Sequence, residues 1–383
     1  MSLPFFSLDH TDTSSLARAG TLQTDHGVIP TPIFMPVGTQ GTVKAIDQRS
    51  LLELDARIIL GNTYHLYLRP GTDTLEVMGG LHRFMNWDRP ILTDSGGYQV
   101  FSLRELRKLS ENGAEFKSHL DGSRHVFTPE SVVAIQRSIG SDIFMVLDEC
   151  TPWPATRDEA RISMERTIRW ADRSRLAHAT APFLYGHRQY QFAIGQGSTY
   201  GDLRSECMEH LVAMDFDGYA IGGLSVGEPA SDMYRAVETS TAIMPYNKPR
   251  YLMGVGTPEN ILECIARGVD MFDCVMPTRN ARNGTIYTTL GKVNIRNAMY
   301  KQCDEPLDPG LDTYASQNFS LAYLRHLFHS TEILGLMLAT MQNLGLYLWL
   351  TRMARRHILE GTFTEWAQET RTKLLEPRRP LAG

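Results

Sequence analysis

The chain has no C-x-x-C pair, and its five cysteines (Cys150, Cys207, Cys264, Cys274, Cys303) are odd in number and scattered. That spacing excludes a disulfide framework and a zinc ribbon. A positive balance is also missing: 38 Lys and Arg against 43 Asp and Glu give a formal net charge of −5. A nucleic-acid partner must therefore be met by a local basic patch, not a basic surface. The opening "MSLPFFSLDHTD" lacks a basic stretch followed by a long apolar one, so no signal peptide is expected. No apolar stretch approaches the roughly 20 residues needed to span a bilayer. Low-complexity linkers and short repeats are absent as well. The expectation is a reduced, cytoplasmic protein with a sizeable core, given 42% hydrophobic and 21% charged residues over 383 positions.

What is present is a repeating unit from residue 29 onward: an apolar run, a polar or glycine-rich end, then a helix-like stretch. The runs are "IPTPIFMPVGT", "IILGNTYH", "PILTDSGGYQVF", "DIFMVLDECTP", "QFAIGQGS", "GYAIGGLSVG", "RYLMGVGTP" and "MFDCVMPTR". They are continuous, not alternating, as parallel strands covered on both faces require. Thr128-Pro129-Glu130 and Thr257-Pro258-Glu259 read as helix starts, Thr156 with Glu159 as a capping box, and Gly268 as a helix end. Eight strands alternating with helices predict an α/β chain folded as a (β/α)8 TIM barrel over residues 29–300. An N-terminal strand or hairpin (1–28) is expected to cover its bottom. A hairpin turning at Asp121-Gly122 is inserted after strand 3, and a helical subdomain (301–383) follows the barrel.

In such a barrel the chemistry sits at the C-terminal strand ends. There the sequence places Asn62, His65, Asp94 to Gln99, Asp148, Glu149, Gln196, Gly222 to Val226, Gly254 and Asp273 to Arg282. A strand-end lysine for Schiff-base chemistry and a Ser/His pair are both missing. "AIGGLSVG" could loosely serve as a phosphate-binding loop. Carboxylates from two strands, such as Asp94 and Asp273, suit chemistry at an anomeric carbon, one attacking C1′ and the other handling the leaving group's proton. Each has a plain structural alternative: an aspartate there can cap a helix or pair with arginine. Asp148 and Gln196 can satisfy backbone groups, His65 can be a structural hydrogen-bonding residue, Tyr98 can be a core aromatic, and Arg279 and Arg282 can be surface charges.

Taken together, "LTDSGGYQVFSL", "DECTPWPA", "YAIGGLSVGE", "YLMGVGTPENI" and "FDCVMPTRNARNGTIY" resemble, in this order, the bacterial tRNA-guanine transglycosylases, or queuine tRNA-ribosyltransferases. The resemblance spans about residues 8–370. It implies exchange of the wobble guanine of G-U-N tRNAs for a 7-deazaguanine through a covalent ribosyl-enzyme intermediate. Asp273 is then the nucleophile and Asp94 the general acid/base. The base site comprises Ser95, Gly96, Gly97, Tyr98, Asp148, Cys150, Gln196, Gly222, Gly223, Leu224, Val226 and Met253, with Tyr98 and Met253 sandwiching a flat base. The RNA-contacting segments are Gly254, Val255, Gly256, Thr257, Pro258, Glu259 and Asn260, then Thr278, Arg279, Asn280, Ala281 and Arg282, the latter matching the segment that holds U-G-U. Cys150 and Val226 fit the bacterial pattern, which favours 7-aminomethyl-7-deazaguanine over queuine. Partners implied are tRNA, the base, and a second copy in a homodimer. Arg352, Arg355, Arg356 and the tail "RTKLLEPRR" are candidate phosphate contacts, with a solvated helix face as the alternative. Retention of both aspartates argues against a non-catalytic tRNA-binding partner subunit, and the intact "PTRNARNG" against a changed RNA target.

One segment departs from the family. At "PLDPGLDTYASQNF" the resemblance implies a C-x-C-x-x-C cluster plus a later histidine around a structural zinc. Here Leu311, Thr313 and Ser316 take the cysteine positions and Gln342 the histidine position. None of these supplies a thiolate or imidazole. No zinc is expected, and no other cofactor, with Leu311 and Tyr314 filling the space. A substitute site of Cys303, His326 and His329 is disfavoured for want of paired cysteines.

Overall fold

The computed structural model describes residues 4–102 and 107–380. Its centre is an eight-stranded parallel sheet: β1 Ile33–Met35, β2 Ile59–Gly61, β3 Ile91–Thr93, β4 Ile143–Met145, β5 Tyr190–Gly195, β6 Gly218–Ile221, β7 Arg250–Leu252 and β8 Met271–Asp273. Each strand lies beside its successor, and β8 pairs with β1 through Met271↔Ile33 and Asp273↔Met35. The circle closes just beyond β1, where Leu60 N–H donates to Pro36 O at 2.9 Å and Gly38 N–H to Leu60 O at 2.7 Å. All eight apolar runs of the sequence are strands, almost wholly buried, as helices outside and side chains inside demand.

The helix starts behave as their capping chemistry dictates. Thr128 caps Pro129–Ile139, Thr156 and Glu159 form a reciprocal box on Arg157–Thr180, and Thr257 caps Pro258–Ala266. Gly268 follows that last helix with φ +86°, a left-handed conformation costly for any residue with a Cβ. The insertion after β3 is a three-stranded antiparallel sheet, Arg107–Leu109, Ala114–Lys117 and Arg124–Phe127, one strand more than the expected hairpin. Its turn is held by Asp121 Oδ1, which accepts from Ser123 N–H at 3.1 Å. Residues 103–106 of that connection lie outside the described residues.

An N-terminal sheet (Phe6–Thr11, Arg18–Thr24, Gly27–Thr31) lies at the strands' N-terminal ends. Buried Arg18 fixes it there: Nε and Nη2 bond the two oxygens of buried Asp270, just before β8, at 2.9 and 2.6 Å. The remaining donors reach Tyr246 O and Lys248 O, so the buried charge pair is satisfied on every side.

A second hairpin, Thr285–Thr288 with Gly291–Asn294, follows β8 and is not expected from the sequence, because its strands are short and polar at the turn. The longest helix, Ile333–Glu360, corrects the expectation that no apolar stretch is long enough to span a bilayer. By length and composition this helix is apolar enough to cross a bilayer, although most of its apolar stretch is buried inside the fold. The helix packs against β1 and the helix Met276–Arg282, with Tyr347 fully buried. Polar residues break up the run, and each buried amide finds backbone partners: Asn343 bonds Pro277 O, Thr285 O and Tyr287 N–H at 3.0, 3.0 and 2.8 Å.

Candidate active site

Asp94 follows β3 directly, and its carboxylate is gripped from the neighbouring strand end. Oδ1 accepts from Thr63 N–H at 3.0 Å and Gly96 N–H at 3.1 Å, while Oδ2 takes a short bond from Asn62 Nδ2. Asn62 also caps the helix Thr63–Leu68, so one side chain sets both the helix and the acid. Burial raises the Asp94 pKa to about 7, and the charge of Asp273 adds to the rise. A group poised there both gives and takes a proton near neutrality.

Asp273 ends β8. Its Oδ1 accepts from Tyr251 Oη at 2.5 Å and Gly254 N–H at 2.8 Å. Among the described residues Oδ2 receives no hydrogen bond, so one oxygen is anchored and the other is available. Burial raises the pKa of Asp273, and the two donors oppose that rise. The two acids lie close enough for the charge of Asp273 to be felt at Asp94.

Asp148, after β4, is buried and accepts from Ser95 Oγ at 2.9 Å and Gln196 Nε2 at 2.8 Å. Burial lifts its pKa to about 6. Gln196 is wholly buried, and among the described residues its Oε1 has no hydrogen-bond partner. The loop after β6 must come this close: Gly223 has φ +65°, and a Cβ there would lie 2.3 Å from Gln196 Oε1. A Cβ on Gly97 would stand 2.8 Å from Asp148 Oδ1. Leu224 and Cys150 are buried, Val226 and Met253 half-buried, and the Tyr98 ring is 54% exposed, which sets aside its core-aromatic alternative.

Beyond Asp273, the helix Met276–Arg282 presents Arg279 to solvent while Arg282 is half-buried, its Nη1 on Thr278 O at 2.8 Å. Among the described residues neither guanidinium pairs with a carboxylate. Partial burial and the nearby charge of Arg279 lower the pKa of Arg282. Gly254 is exposed, and Thr257, Glu259 and Asn260 are half-buried. Val255, Gly256, Pro258, Thr278 and Ala281 are buried, so within the two expected RNA segments they shape the backbone and offer no side chain to a ligand. Asn280 is turned onto Tyr287 Oη at 2.7 Å. Arg352 and Arg355 are engaged with backbone carbonyls of residues 54, 20 and 31, and Arg356 with Glu360. Arg352 and Arg355 are thus engaged within the fold, whereas Arg356, paired with Glu360 on an exposed face, matches the solvated-face alternative.

Three contributors are hidden in the sequence. Tyr251, inside the "RYLMGVGTP" run, reads there as a core aromatic. Arg204, fully buried, bonds Gly195 O, Ser198 O and Gly222 O and so ties the ends of β5 and β6 together. Glu228 accepts from the backbone N–H groups of Ser225 and Val226, closing the loop that carries Gly223. The one sequence signal for Glu228 is an acid directly after a loop glycine, Gly227.

The four positions matching the family's zinc ligands do not fit a zinc ion. Leu311 is a buried hydrocarbon. Thr313 Oγ1 and Ser316 Oγ share a hydrogen at 2.5 Å, Ser316 Oγ donates to Gln342 Oε1 at 2.6 Å, and Gln342 Nε2 donates to Tyr287 O at 3.0 Å. Neutral hydroxyl and amide groups already committed to one another are poor competitors for Zn²⁺. Tyr314 is 58% exposed, so the expectation that it fills this space is wrong, and Leu311 alone does so. Cys303, His326 and His329 do not converge as a ligand group among the described residues.

A closed parallel barrel with carboxylates at the C-terminal ends of β3 and β8, beside a buried acid and amide, is the architecture of a (β/α)8-barrel enzyme site. The family model for queuine tRNA-ribosyltransferase matches residues 12–376. A queuine tRNA-ribosyltransferase of Caldanaerobacter subterraneus subsp. tengcongensis is 57% identical over 358 residues, 94% of each chain. One from Thermoanaerobacter pseudethanolicus is 54% identical over the same share, and one from Desulforudis audaxviator 53% over 96% of this chain and 97% of its own. The chain belongs to the queuine tRNA-ribosyltransferase family, and is thus a tRNA-guanine pentosyltransferase.

Proposed function

We propose that the protein exchanges the wobble guanine of G-U-N tRNAs for 7-aminomethyl-7-deazaguanine, a step in making queuosine, with Asp273 as nucleophile and Asp94 as proton carrier. The arrangement at Asp273 carries this reading: one oxygen is held by Tyr251 and Gly254, and the other is open to attack C1′ of the ribose. As the C1′–N9 bond breaks, electrons leave with guanine, and Asp94 supplies the proton that makes it a neutral leaving group. The incoming base returns a proton to Asp94, and its nitrogen displaces Asp273 from C1′. Ionised Asp148 accepts from the N1–H and exocyclic amine that guanine presents together. Gln196 has a second amide hydrogen, and the Gly223 N–H lies beside it, for the base's acceptors. Tyr98 is available to stack on an extruded base, an interaction worth roughly 1–3 kcal/mol.

The unpaired Arg279 and Arg282 next to the nucleophile suit the phosphates of the anticodon loop. A homodimer is part of this reading, with exposed apolar side chains of the C-terminal subdomain such as Tyr314 and Ile333 as candidates for its contact. The working compartment is cytoplasmic, where tRNA and reduced thiols coexist. No cofactor takes part. The assay is incorporation of labelled guanine into a G-U-N tRNA, with a denaturing gel for the covalent adduct. Asp273→Ala must lose both, and full activity in that variant would refute the assignment. Competing queuine against the aminomethyl base decides the substrate.

A further inference from the structure

At the opposite end of the barrel from the aspartates, three chain segments bring imidazoles together. His26 comes from the turn of the N-terminal sheet, His82 from the helix Gly80–Met85, and His187 from the approach to β5. One ring nitrogen of each lies within 4.8 Å of the other two. His26 stacks on His82 with centroids 3.7 Å apart, and His187 meets both edge-on. A single buried carboxylate, Asp142, faces the group: its Oδ1 is 2.7 Å from His26 Nδ1 and its Oδ2 3.1 Å from His82 Nε2.

The tautomers follow from the partners. His82 Nδ1 lies 3.0 Å from Trp87 O and His187 Nε2 lies 3.0 Å from Gly140 O; a carbonyl only accepts, so both nitrogens carry hydrogen. A neutral His82 then turns the lone pair of Nε2 toward Asp142 Oδ2, two acceptors face to face in a buried setting. Either a proton on that nitrogen, making an ion pair with Asp142, or a metal ion between the two groups resolves the conflict.

We infer that His26, His82 and His187 form a binding site for a divalent transition-metal ion of the kind imidazole favours (Zn²⁺, Co²⁺, Ni²⁺), with Asp142 as a fourth or orienting group. Each ring has its remote nitrogen fixed by an oxygen acceptor, the outer-sphere pattern that presents the other nitrogen to a metal. A tetrahedral ion with metal–nitrogen bonds of about 2.0–2.1 Å needs its nitrogens about 3.3 Å apart. The three ring nitrogens lie within 4.8 Å of one another, so the half-buried His26 and His187 side chains must move inward when an ion binds. The ion would tie the N-terminal sheet to the barrel floor and stabilise the folded chain by mass action. It has no part in the exchange reaction.

The test uses full-length protein stripped with a chelator and dialysed, then titrated with Co²⁺ alone, read by calorimetry and by the visible absorption of bound Co²⁺. One equivalent is expected, together with a rise in melting temperature. His26→Ala and His187→Ala should each weaken binding at least tenfold while keeping guanine exchange, which serves as the check that they fold. Ser316→Ala, in the C-terminal subdomain, should leave binding unchanged. Absence of stoichiometric binding to the native protein would overturn the inference, as would equal binding in both histidine variants.

Discussion

Tyr251 donates its phenolic hydrogen at 2.5 Å to Asp273 Oδ1, the oxygen that also accepts from Gly254 N–H. That bond favours the ionised carboxylate and so opposes the rise in pKa that burial imposes. Tyr251→Phe removes the donor and lets the pKa climb further. The acid limb of kcat/KM should move to higher pH. The loss should approach ~10-fold per unit of pKa on the acid side of the limb and vanish on the alkaline plateau. A pH–rate profile with labelled guanine checks this; a uniform loss at all pH values would assign Tyr251 to structure instead.

Asp148→Asn should stabilise the protein and disable it. Folding raises the Asp148 pKa from 3.8 to about 6, so the folded state holds its proton more tightly than the unfolded chain. That contribution is fully favourable below about pH 4 and is lost as pH rises through 6. An asparagine carries no charge to bury, and a turned Gln196 amide can offer it the unpartnered Oε1. Melting temperature should exceed the parent's at pH 8 and match it near pH 4. Guanine exchange should fall by at least 10²-fold, since a site built for two donors loses its acceptor.

Arg279→Ala should weaken tRNA binding without touching the base. Removing one phosphate interaction lowers the slope of log K against log salt by roughly 0.7–0.9. Binding measured from 50 to 200 mM salt should show that reduction, with the KM for free guanine unchanged. Arg282→Ala should do likewise, with some added loss because its stem is half-buried.

Gly223→Ala asks for a left-handed alanine with its Cβ 2.3 Å from Gln196 Oε1. The loop must retreat and take its N–H with it. Steady-state kinetics with free guanine should show KM raised at least tenfold, with little change in tRNA affinity.

The Thr313–Ser316–Gln342 chain should make the C-terminal subdomain indifferent to chelators. Metal analysis should find no zinc held by this segment. Ser316→Ala leaves Gln342 Oε1 and Thr313 without their partner, at a cost of about 1–3 kcal/mol, read by denaturant unfolding.

The barrel was legible because its strands are covered on both faces, and eight apolar runs with polar ends leave few other folds. Asp94 and Asp273 were visible as acids where apolar strands stop. What escaped depends on which groups meet across the barrel mouth. Tyr251 looks like any core aromatic until Asp273 is found at its hydroxyl, and Arg204 like any surface charge until three carbonyls converge on it. The hairpin after β8 was too short and too polar to register. The histidines of the barrel floor are 56 and 105 residues apart in the chain, and no spacing rule links them.

Asn343 and Tyr347 sit one turn apart on the helix Ile333–Glu360. Asn343 holds the backbone of the segment carrying Arg279 and Arg282, through Pro277 O. The Tyr347 hydroxyl donates to Gly256 O, within the loop Gly254 to Asn260. Two walls of the barrel mouth therefore hang from one shared beam. Gln342, next along it, is the terminus of the hydroxyl chain that stands where relatives are expected to keep a metal. Slack introduced there would tilt both walls together. The first symptom would be a looser grip on the anticodon loop, while free guanine was still bound as before.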